Sequence, residues 1–307
     1  MNSAGSRIAV TLACAALAAL PPAASAQAFP LPAPQDAVIG RVETVSARHE
    51  DTLSELARTH QLGYEQIVAA NPGVDPWLPG AGTRIVLPTQ HVLPDTPRRG
   101  LVLNLPEFRL YYFPPPQRGQ TAQVVTYPAS IGHVDWKTPL GVTRVVAKAK
   151  DPTWYPPASI RAEHARNGDP LPAAVPPGPD NPLGAFALRL ALPGYLIHGT
   201  NRPYGIGMRV THGCVRLYPE HIAELYRAVP VGTPLRVVDQ PVKAGWREGV
   251  LHLQVHAPLA ESGARADVTA AVRAVIAATR DRPADVDWDA VAEAARQRRG
   301  VPVAVTR

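Results

Sequence analysis

The chain has 307 residues, of which 46% are hydrophobic and 18% are charged. This composition describes a globular protein with one large domain or two to three small ones, and it excludes an intrinsically disordered chain. The net charge is +6, but no basic run interleaved with aromatic residues occurs, so nucleic acid is not an expected partner. The 35 prolines predict short helices and many loops.

The first 26 residues have the layout of a secretory signal peptide. Arg7 precedes an apolar run over residues 8–20, and the small residues Ala24, Ser25 and Ala26 follow. The apolar run is shorter than the roughly 20 residues that a membrane-spanning helix needs. We therefore expect residues 1–26 to be cleaved and the mature protein to be exported, with an uncleaved anchor as the alternative.

Residues 41–89 predict a small α+β unit, which follows a Pro/Ala-rich linker over residues 27–40. Hydrophobic periodicity indicates a strand at 41–45, helices at 51–60 and 63–70, and a strand at 83–87. The order of Asp51-Thr52-Leu53, Asn71-Pro72-Gly73 and Leu78-Pro79-Gly80 resembles a LysM repeat. That resemblance implies binding to the N-acetylglucosamine-containing glycan of peptidoglycan. A second linker at 91–99 would make the unit a tether, physically separate from the rest of the chain.

Residues 98–239 predict a mainly β domain, and residues 240–307 predict an α/β extension. Strands are expected at 101–105 and 108–113, which would form a hairpin, and at 124–131, 142–149, 185–190, 195–198 and 235–238. A helix is expected after Pro219. The Pro-rich stretch 151–181 is predicted to be a long loop or lid without regular structure. The extension is predicted to contain a strand at 251–255 and helices at 266–280 and 287–299.

The sequence around Cys214 carries the strongest chemical signal. Cys214 is the only cysteine after residue 26, and in an oxidising compartment a free thiol is a liability unless it does chemistry. A nucleophilic thiol needs a basic partner, backbone N–H donors and exposure; His198 and His212 are candidate partners, and Gly213 allows close approach of the substrate. An inert buried cysteine is the alternative. The spacing His198…His212-x-Cys214 matches no short zinc pattern, so we expect no metal.

The run His198…Thr211-His212-Gly213-Cys214-Val215-Arg216 resembles the signature of the L,D-transpeptidase catalytic domain, the YkuD family. Residues 98–239 carry this resemblance, and the chain as a whole is similar to the ErfK/YbiS branch. The resemblance implies a YkuD-type β-sandwich, an enzyme without a cofactor, a periplasmic location and sensitivity to carbapenems. It also implies peptidoglycan as the substrate.

The resemblance implies a role for each residue of the signature. Cys214 would attack the diaminopimelate carbonyl of a tetrapeptide stem and expel D-Ala. His198, held by the Gly199 backbone carbonyl, would move the proton, and the N–H groups around Gly213 would bind the oxyanion. His212 would orient the site. The residues expected to bind substrate are Arg216 and Thr211.

The identity of the acyl acceptor stays open at this stage. The thioester would be resolved by an amine, from a second stem or from the lysine of an envelope lipoprotein or outer-membrane protein. Resolution by water, as in an L,D-carboxypeptidase, is one alternative. A non-catalytic peptidoglycan-binding protein is another, although the intact pair of His198 and Cys214 argues against it.

Overall fold

The computed structural model describes residues 26–306. The predicted signal peptide, apart from Ala26, lies outside the described residues. The elements of the amino-terminal region are β1 (Gln27–Pro30), β2 (Val38–Gly40), β3 (Glu43–Ser46), α1 (Leu53–Thr59), α2 (Tyr64–Ala70), β4 (Arg84–Leu87) and β5 (Gln90–Val92).

The central region contains most of the strands. Its elements are β6 (Gly100–Asn104), β7 (Arg109–Phe113), β8 (Gln123–Pro128), β9 (Ile131–Gly132), β10 (Gly141–Lys150), α3 (Ala158–Arg166), β11 (Phe186–Leu190), β12 (Leu196–His198), β13 (Arg209–Thr211), β14 (Val215–Arg216), α4 (Pro219–Ala228) and β15 (Pro234–Val238). The carboxy-terminal region follows with β16 (Val242–Arg247), β17 (Val250–Val255), α5 (Val268–Thr279), α6 (Trp288–Gln297) and β18 (Val303–Ala304).

A nine-stranded sheet in the order β1-β8-β7-β6-β15-β10-β11-β12-β14 forms the framework. The long strand β10 pairs with β15 through residues 141–144 and with β11 through residues 145–150, and the pairing with β11 shifts in register between Val145 and Ala147. Such a shift bends a strand. The two halves of the sheet share one core, which contains Leu103 from one half and Ile197 from the other. The predicted mainly β architecture is confirmed, as one sheet curled around a common core.

The predicted hairpin in the central region is confirmed. Strands β6 and β7 pair antiparallel, and Phe108 takes the left-handed conformation at the turn. The prediction for residues 151–181 was wrong in one respect, since they contain the helix α3. Pro157 directly precedes this helix, where a missing N–H group costs nothing, and the helical residues themselves include no proline.

The predicted strand–helix–helix–strand order of residues 41–89 is also confirmed. The side chain of Thr52 caps α1 by accepting from the Glu55 N–H, and the Glu55 carboxylate accepts from the Thr52 N–H. This reciprocal capping box satisfies two donors that the helix leaves unpaired. Strands β3 and β4 pair antiparallel, and the buried side chains of Leu53, Ile67 and Ile85 form a small core beneath the helices.

The prediction that residues 27–40 and 91–99 are linkers was wrong. Strand β1 pairs with β8 at the edge of the large sheet, and β2 pairs with β5. Val92 and Leu93 are buried. Prolines and alanines suggested a flexible spacer, but both segments find strand partners that are distant in sequence.

Residues 41–89 are therefore docked on the central region and are not a free tether. Gln66 Nε2 donates to the Glu107 carbonyl at 2.9 Å, and the buried Arg109 guanidinium donates to Gln66 Oε1 at 2.8 Å. The Tyr218 hydroxyl donates to the Leu62 carbonyl at 3.1 Å. These bonds are buried, so separating the two regions would leave polar groups without partners.

The carboxy-terminal region forms a small α/β layer, in which two further strands accompany the strand and the two helices expected from the sequence. Strands β16, β17 and β18 pair antiparallel, and α5 and α6 cover them around a core of their own. Lys243 joins this layer to the central region, because its ammonium group lies 2.8 Å from the buried carboxylate of Glu107. Among the helices of residues 26–306, none is long and apolar enough to cross a membrane.

Candidate active site

The sheet brings His198 and Cys214 onto neighbouring parallel strands. His198 ends β12, and Cys214 immediately precedes β14. The register pairs Ile197 with Val215 and His198 with Arg216. Because side chains alternate along a strand, His198, Arg216 and Cys214 lie on the same face. The register therefore places these three residues on neighbouring strands, and their catalytic roles stay a prediction.

Backbone contacts determine which nitrogen of His198 acts as a base. Nδ1 lies 2.7 Å from the Gly199 carbonyl oxygen. A carbonyl can only accept, so Nδ1 carries the proton and Nε2 keeps its lone pair. Burial, with the positive charge of Arg216 as the second cause, lowers the pKa of His198 to about 3, although the Gly199 and Leu183 carbonyls act in the opposite direction. At neutral pH the ring is therefore a neutral base.

The Cys214 thiol is partly buried and forms no disulfide. Burial raises the pKa of this thiol, against smaller opposing effects from a backbone hydrogen bond at Leu196 and from the charge of Arg216. The sulfur lies 3.6 Å from the Gly194 carbonyl oxygen, to which the S–H group donates. The resting pair at neutral pH is thus a thiol and a neutral imidazole, so proton transfer must accompany nucleophilic attack.

Two threonines shape residues 211–214, the loop that presents the thiol and is called the nucleophile loop below. The Thr211 hydroxyl donates to the Cys214 carbonyl at 2.6 Å, which closes the turn around residues 212 and 213. The buried Thr138 hydroxyl accepts from the Gly132 N–H at 3.0 Å and donates to the Gly213 carbonyl at 2.9 Å. The hydroxyl of Thr211 is thereby committed to the loop, and its contact with substrate stays a prediction.

Position 213 requires glycine. Its φ is +98°, and a Cβ built there would lie 2.7 Å from Cε1 of Tyr195. Both features exclude an L side chain without movement of the backbone or of the tyrosine ring. The consequence is a peptide at Gly213–Cys214 that substrate can approach closely, as a site for an oxyanion requires.

Arg216 gives the site a positive charge. Burial lowers the pKa of its guanidinium, with Cys214 and Arg202 as smaller influences of opposite sign. Within residues 26–306 no hydrogen-bond partner is found for its buried Nε. A buried donor next to the thiol is suited to the carboxylate of a peptide substrate.

His212 contacts the central part of the predicted lid. Its Nε2 lies 3.2 Å from a carboxylate oxygen of Glu163 on α3. The indole ring of Trp136 packs edge-on against the imidazole, with the ring centroids 5.1 Å apart. The sequence pattern indicated His212 but not its partner Glu163, which is 49 residues away along the chain.

A cavity of about 290 Å³ lies beside the nucleophile loop. Its walls include Thr138, Leu140, Tyr195 and Gly213. The sequence alone did not indicate a role for Thr138. Within the described part of the chain, no three His, Cys, Asp or Glu residues are grouped as metal ligands.

Fold and site place the Cys214 thiol on the strand beside His198, whose imidazole is held by a backbone carbonyl, and this is the arrangement of a cysteine enzyme. The domain description "L,D-transpeptidase catalytic domain" (YkuD) matches residues 98–238. "Probable L,D-transpeptidase YbiS" of Escherichia coli is 41% identical over 288 residues, which cover 91% of this chain and 92% of that protein.

Two further Escherichia coli proteins are similar over most of their length. "Probable L,D-transpeptidase YcfS" is 42% identical over 82% of this chain and 78% of that protein. "Probable L,D-transpeptidase ErfK/SrfK" is 38% identical over 91% of this chain and 90% of that protein. The chain belongs to the L,D-transpeptidase family and is a transferase of that class. The proposed resemblance to the YkuD family is confirmed.

Proposed function

We propose that this enzyme transfers an acyl group from a peptidoglycan tetrapeptide stem to an amine through a thioester on Cys214. The observation that carries the proposal is the 2.7 Å hydrogen bond from His198 Nδ1 to the Gly199 carbonyl. It leaves Nε2 as the base on the strand beside the thiol, which is the arrangement that acyl transfer by a cysteine requires.

In the acylation step, the thiol proton passes to His198 Nε2 as the sulfur attacks the carbonyl of diaminopimelate. The thiol must first turn away from the Gly194 carbonyl, to which it donates in the resting state. His198 then returns the proton to the nitrogen of the departing D-Ala. The N–H groups at Gly213 and Cys214 stabilise the oxyanion, and Arg216 pairs with a carboxylate of the stem.

In the second step, an amine attacks the thioester and the sulfur leaves as the thiolate. No ATP is consumed, because the thioester retains the energy of the cleaved peptide bond. The acceptor is either the side-chain amine of a second stem, which forms a 3–3 cross-link, or the lysine of an envelope lipoprotein or outer-membrane protein. Both acceptors are amines, so the same chemistry serves for either.

We further propose that residues 41–89 act as a LysM glycan-binding unit. Trp77 and Leu78 are exposed to 65% and 75%, and the Trp77 ring lies 6.4 Å from the ring of Tyr64. Exposed aromatic rings of this kind are suited to stacking on sugars. Trp77→Ala should weaken pelleting with insoluble peptidoglycan, and unchanged pelleting would contradict this role.

The signal-peptide layout of residues 1–26 supports export to the periplasm, where the stems are accessible. Cell fractionation would test the location, and the amino-terminal sequence of the fractionated protein would test cleavage. A mature chain that begins at Gln27 is expected. Recovery of the full-length protein in the membrane fraction would support the uncleaved anchor instead.

The decisive experiment incubates the purified protein with disaccharide-tetrapeptide and identifies the products by mass spectrometry. A cross-linked dimer with loss of one D-Ala supports transfer to a stem amine. If only the tripeptide and free D-Ala accumulate, even with added amine, the enzyme is an L,D-carboxypeptidase. If no product forms and no acyl group is found on Cys214, the catalytic proposal is wrong.

A further inference from the structure

The segment 152–181 is a flap with a well-defined base. The backbone groups of Trp154 and Val175 exchange two hydrogen bonds, at 2.9 and 2.8 Å. The buried side chain of Asn181 donates to the carbonyls of Pro152, Val175 and Pro176 at 2.8–3.2 Å. These contacts hold the two ends of the flap together, so helix α3 near its centre is presented from a fixed base.

Packing alone explains little of where α3 lies. Ile160 is the only buried residue of this helix, so the apolar contact that it makes is small. The specific polar contact from α3 to the nucleophile loop is the one between Glu163 Oε2 and His212 Nε2, at 3.2 Å. The flap therefore delivers a carboxylate to the signature that contains Cys214.

Three features distinguish this contact from an ordinary surface ion pair, which contributes little. The Trp136 ring packs edge-on against the imidazole of His212. The adjacent turn is held by the Thr211 hydroxyl on the Cys214 carbonyl. The side chains of His212 and Glu163 are only 31% and 36% exposed. His212 is therefore held in place, with one ring nitrogen on the carboxylate.

A carboxylate can only accept, so this contact places a proton on Nε2 and leaves the lone pair on Nδ1. The same logic operates in serine triads, where an aspartate holds the histidine tautomer and stabilises the imidazolium that forms. His198 already serves the thiol, with the Gly199 carbonyl as its partner. The His212–Glu163 pair is a second imidazole base, and the acylation step does not use it.

We infer that Glu163 is a positioning residue that sets His212 to accept a proton from the incoming acceptor amine. This inference rests on the proposed function. The ammonium form of the acceptor loses one proton to His212 Nδ1, and the Glu163 carboxylate stabilises the resulting imidazolium.

The transfer then proceeds with all protons accounted for. The neutral amine attacks the thioester, a C–N bond forms, and the C–S bond breaks with its electron pair on the Cys214 sulfur. The second amine proton passes through His198 to that sulfur and regenerates the thiol. His212 returns its proton to solvent.

The test separates formation of the thioester from its discharge. Intact-mass measurements follow acylation of the full chain by disaccharide-tetrapeptide without added acceptor. Discharge is then followed with increasing concentrations of a stem peptide that carries a free side-chain amine. Glu163→Gln should lower the discharge rate at saturating acceptor about 10-fold or more, a part of the roughly 10²- to 10⁴-fold that a general base contributes, and acylation less than threefold. Glu163→Asp, which keeps the carboxylate, should recover most of the loss.

The flap itself offers a matched control. His164 and Asp169 form an exposed carboxylate–imidazole pair at 3.1 Å within the flap, so Asp169→Asn should change neither step. An equal loss of both steps in Glu163→Gln would show that Glu163 only closes the flap, and the inference would be overturned. Normal discharge in Glu163→Gln, or no recovery in Glu163→Asp, would overturn it as well. A wild-type protein that forms no thioester would instead overturn the proposed function.

Discussion

Thr138 is the residue whose removal should most directly test how the nucleophile loop is held. Its buried hydroxyl accepts from the Gly132 N–H and donates to the Gly213 carbonyl. Valine has nearly the same shape but no hydroxyl, so Thr138→Val removes both bonds and leaves no cavity. The two backbone groups would then be buried without a partner.

The expected loss of stability follows from those two groups. A buried donor or acceptor that loses its partner costs about 1–3 kcal/mol. Two such groups give a decrease of about 2–6 kcal/mol in the free energy of unfolding, with the smaller value if water reaches the Gly213 carbonyl. Release of that carbonyl also frees the peptide that positions Cys214. Because small displacements of reacting groups are costly, acylation should slow about 10-fold or more.

Urea unfolding and single-turnover acylation, followed by intact mass, would measure the two effects. Thr138→Ser keeps the hydroxyl and should remain close to wild type in acylation rate. Thr233→Val is a control for the substitution itself, since that exposed hydroxyl donates to the Pro230 carbonyl and should cost little. A Thr138→Val protein within 0.5 kcal/mol of wild type and with normal acylation would refute the reasoning.

Three further predictions concern the thiol and the histidines. A carbapenem should form one covalent adduct on the wild-type chain, and Cys214→Ala should stay folded and lose it; an adduct on the variant, detected by intact mass, would reveal another nucleophile. His198→Ala should lower the acylation rate about 10²-fold or more, and His212→Ala should lower it less; if single-turnover rates showed the reverse, the two roles would be exchanged. Lowering the pH from 7 to 5 should destabilise the fold, because buried histidines with a pKa of about 3 or 4 take up protons only on unfolding. Each should lower the free energy of unfolding by about 2 kcal/mol between pH 7 and pH 5. Urea titrations that gave equal stability at both pH values would contradict this. The residues concerned are His91, His198, His221 and His256.

Local patterns predicted most of the strands and helices, because alternation and helical spacing report directly on which residues are buried. The residues His198, His212, Gly213 and Cys214 could be identified for a similar reason, since they lie within one short stretch of chain. The linkers were predicted wrongly because the partner of β1 is β8, about a hundred residues further along. Composition carries no information about a pairing at that distance.

Two residues of the site were missed for the same reason, since their partners are distant along the chain. Thr138 lies 75 residues before the carbonyl that it holds, and Glu163 lies 49 residues before His212. Each is brought to the nucleophile loop only when the sheet and the flap have formed. A threonine in a turn and a glutamate on a short helix are common in any sequence, so neither residue type indicates a site by itself.

The docking of the small α+β unit leads to a last prediction, because that unit contacts the loop between His198 and Thr211. The Tyr64 N–H donates to the Ile206 carbonyl at 2.9 Å, and a Cβ built on Gly63 would lie 2.7 Å from the Cα of Gly207. Deleting residues 27–90 would also remove strand β1 from the large sheet, so a loss of activity could simply reflect unfolding.

A single methyl group is a cleaner perturbation of the same contact. Gly63→Ala forces the two backbones apart and should cost about 1–3 kcal/mol by overpacking. It should also slow acylation of soluble tetrapeptide a few-fold, because residues 203–208 lead directly to Thr211 and the turn before Cys214. Thermal unfolding and single-turnover acylation measure the two effects. Gly263→Ala is the matched control, since a Cβ at that position meets no atom within 4 Å. If Gly63→Ala acylates at the wild-type rate while remaining measurably less stable, the contact holds the regions together without influencing the active site.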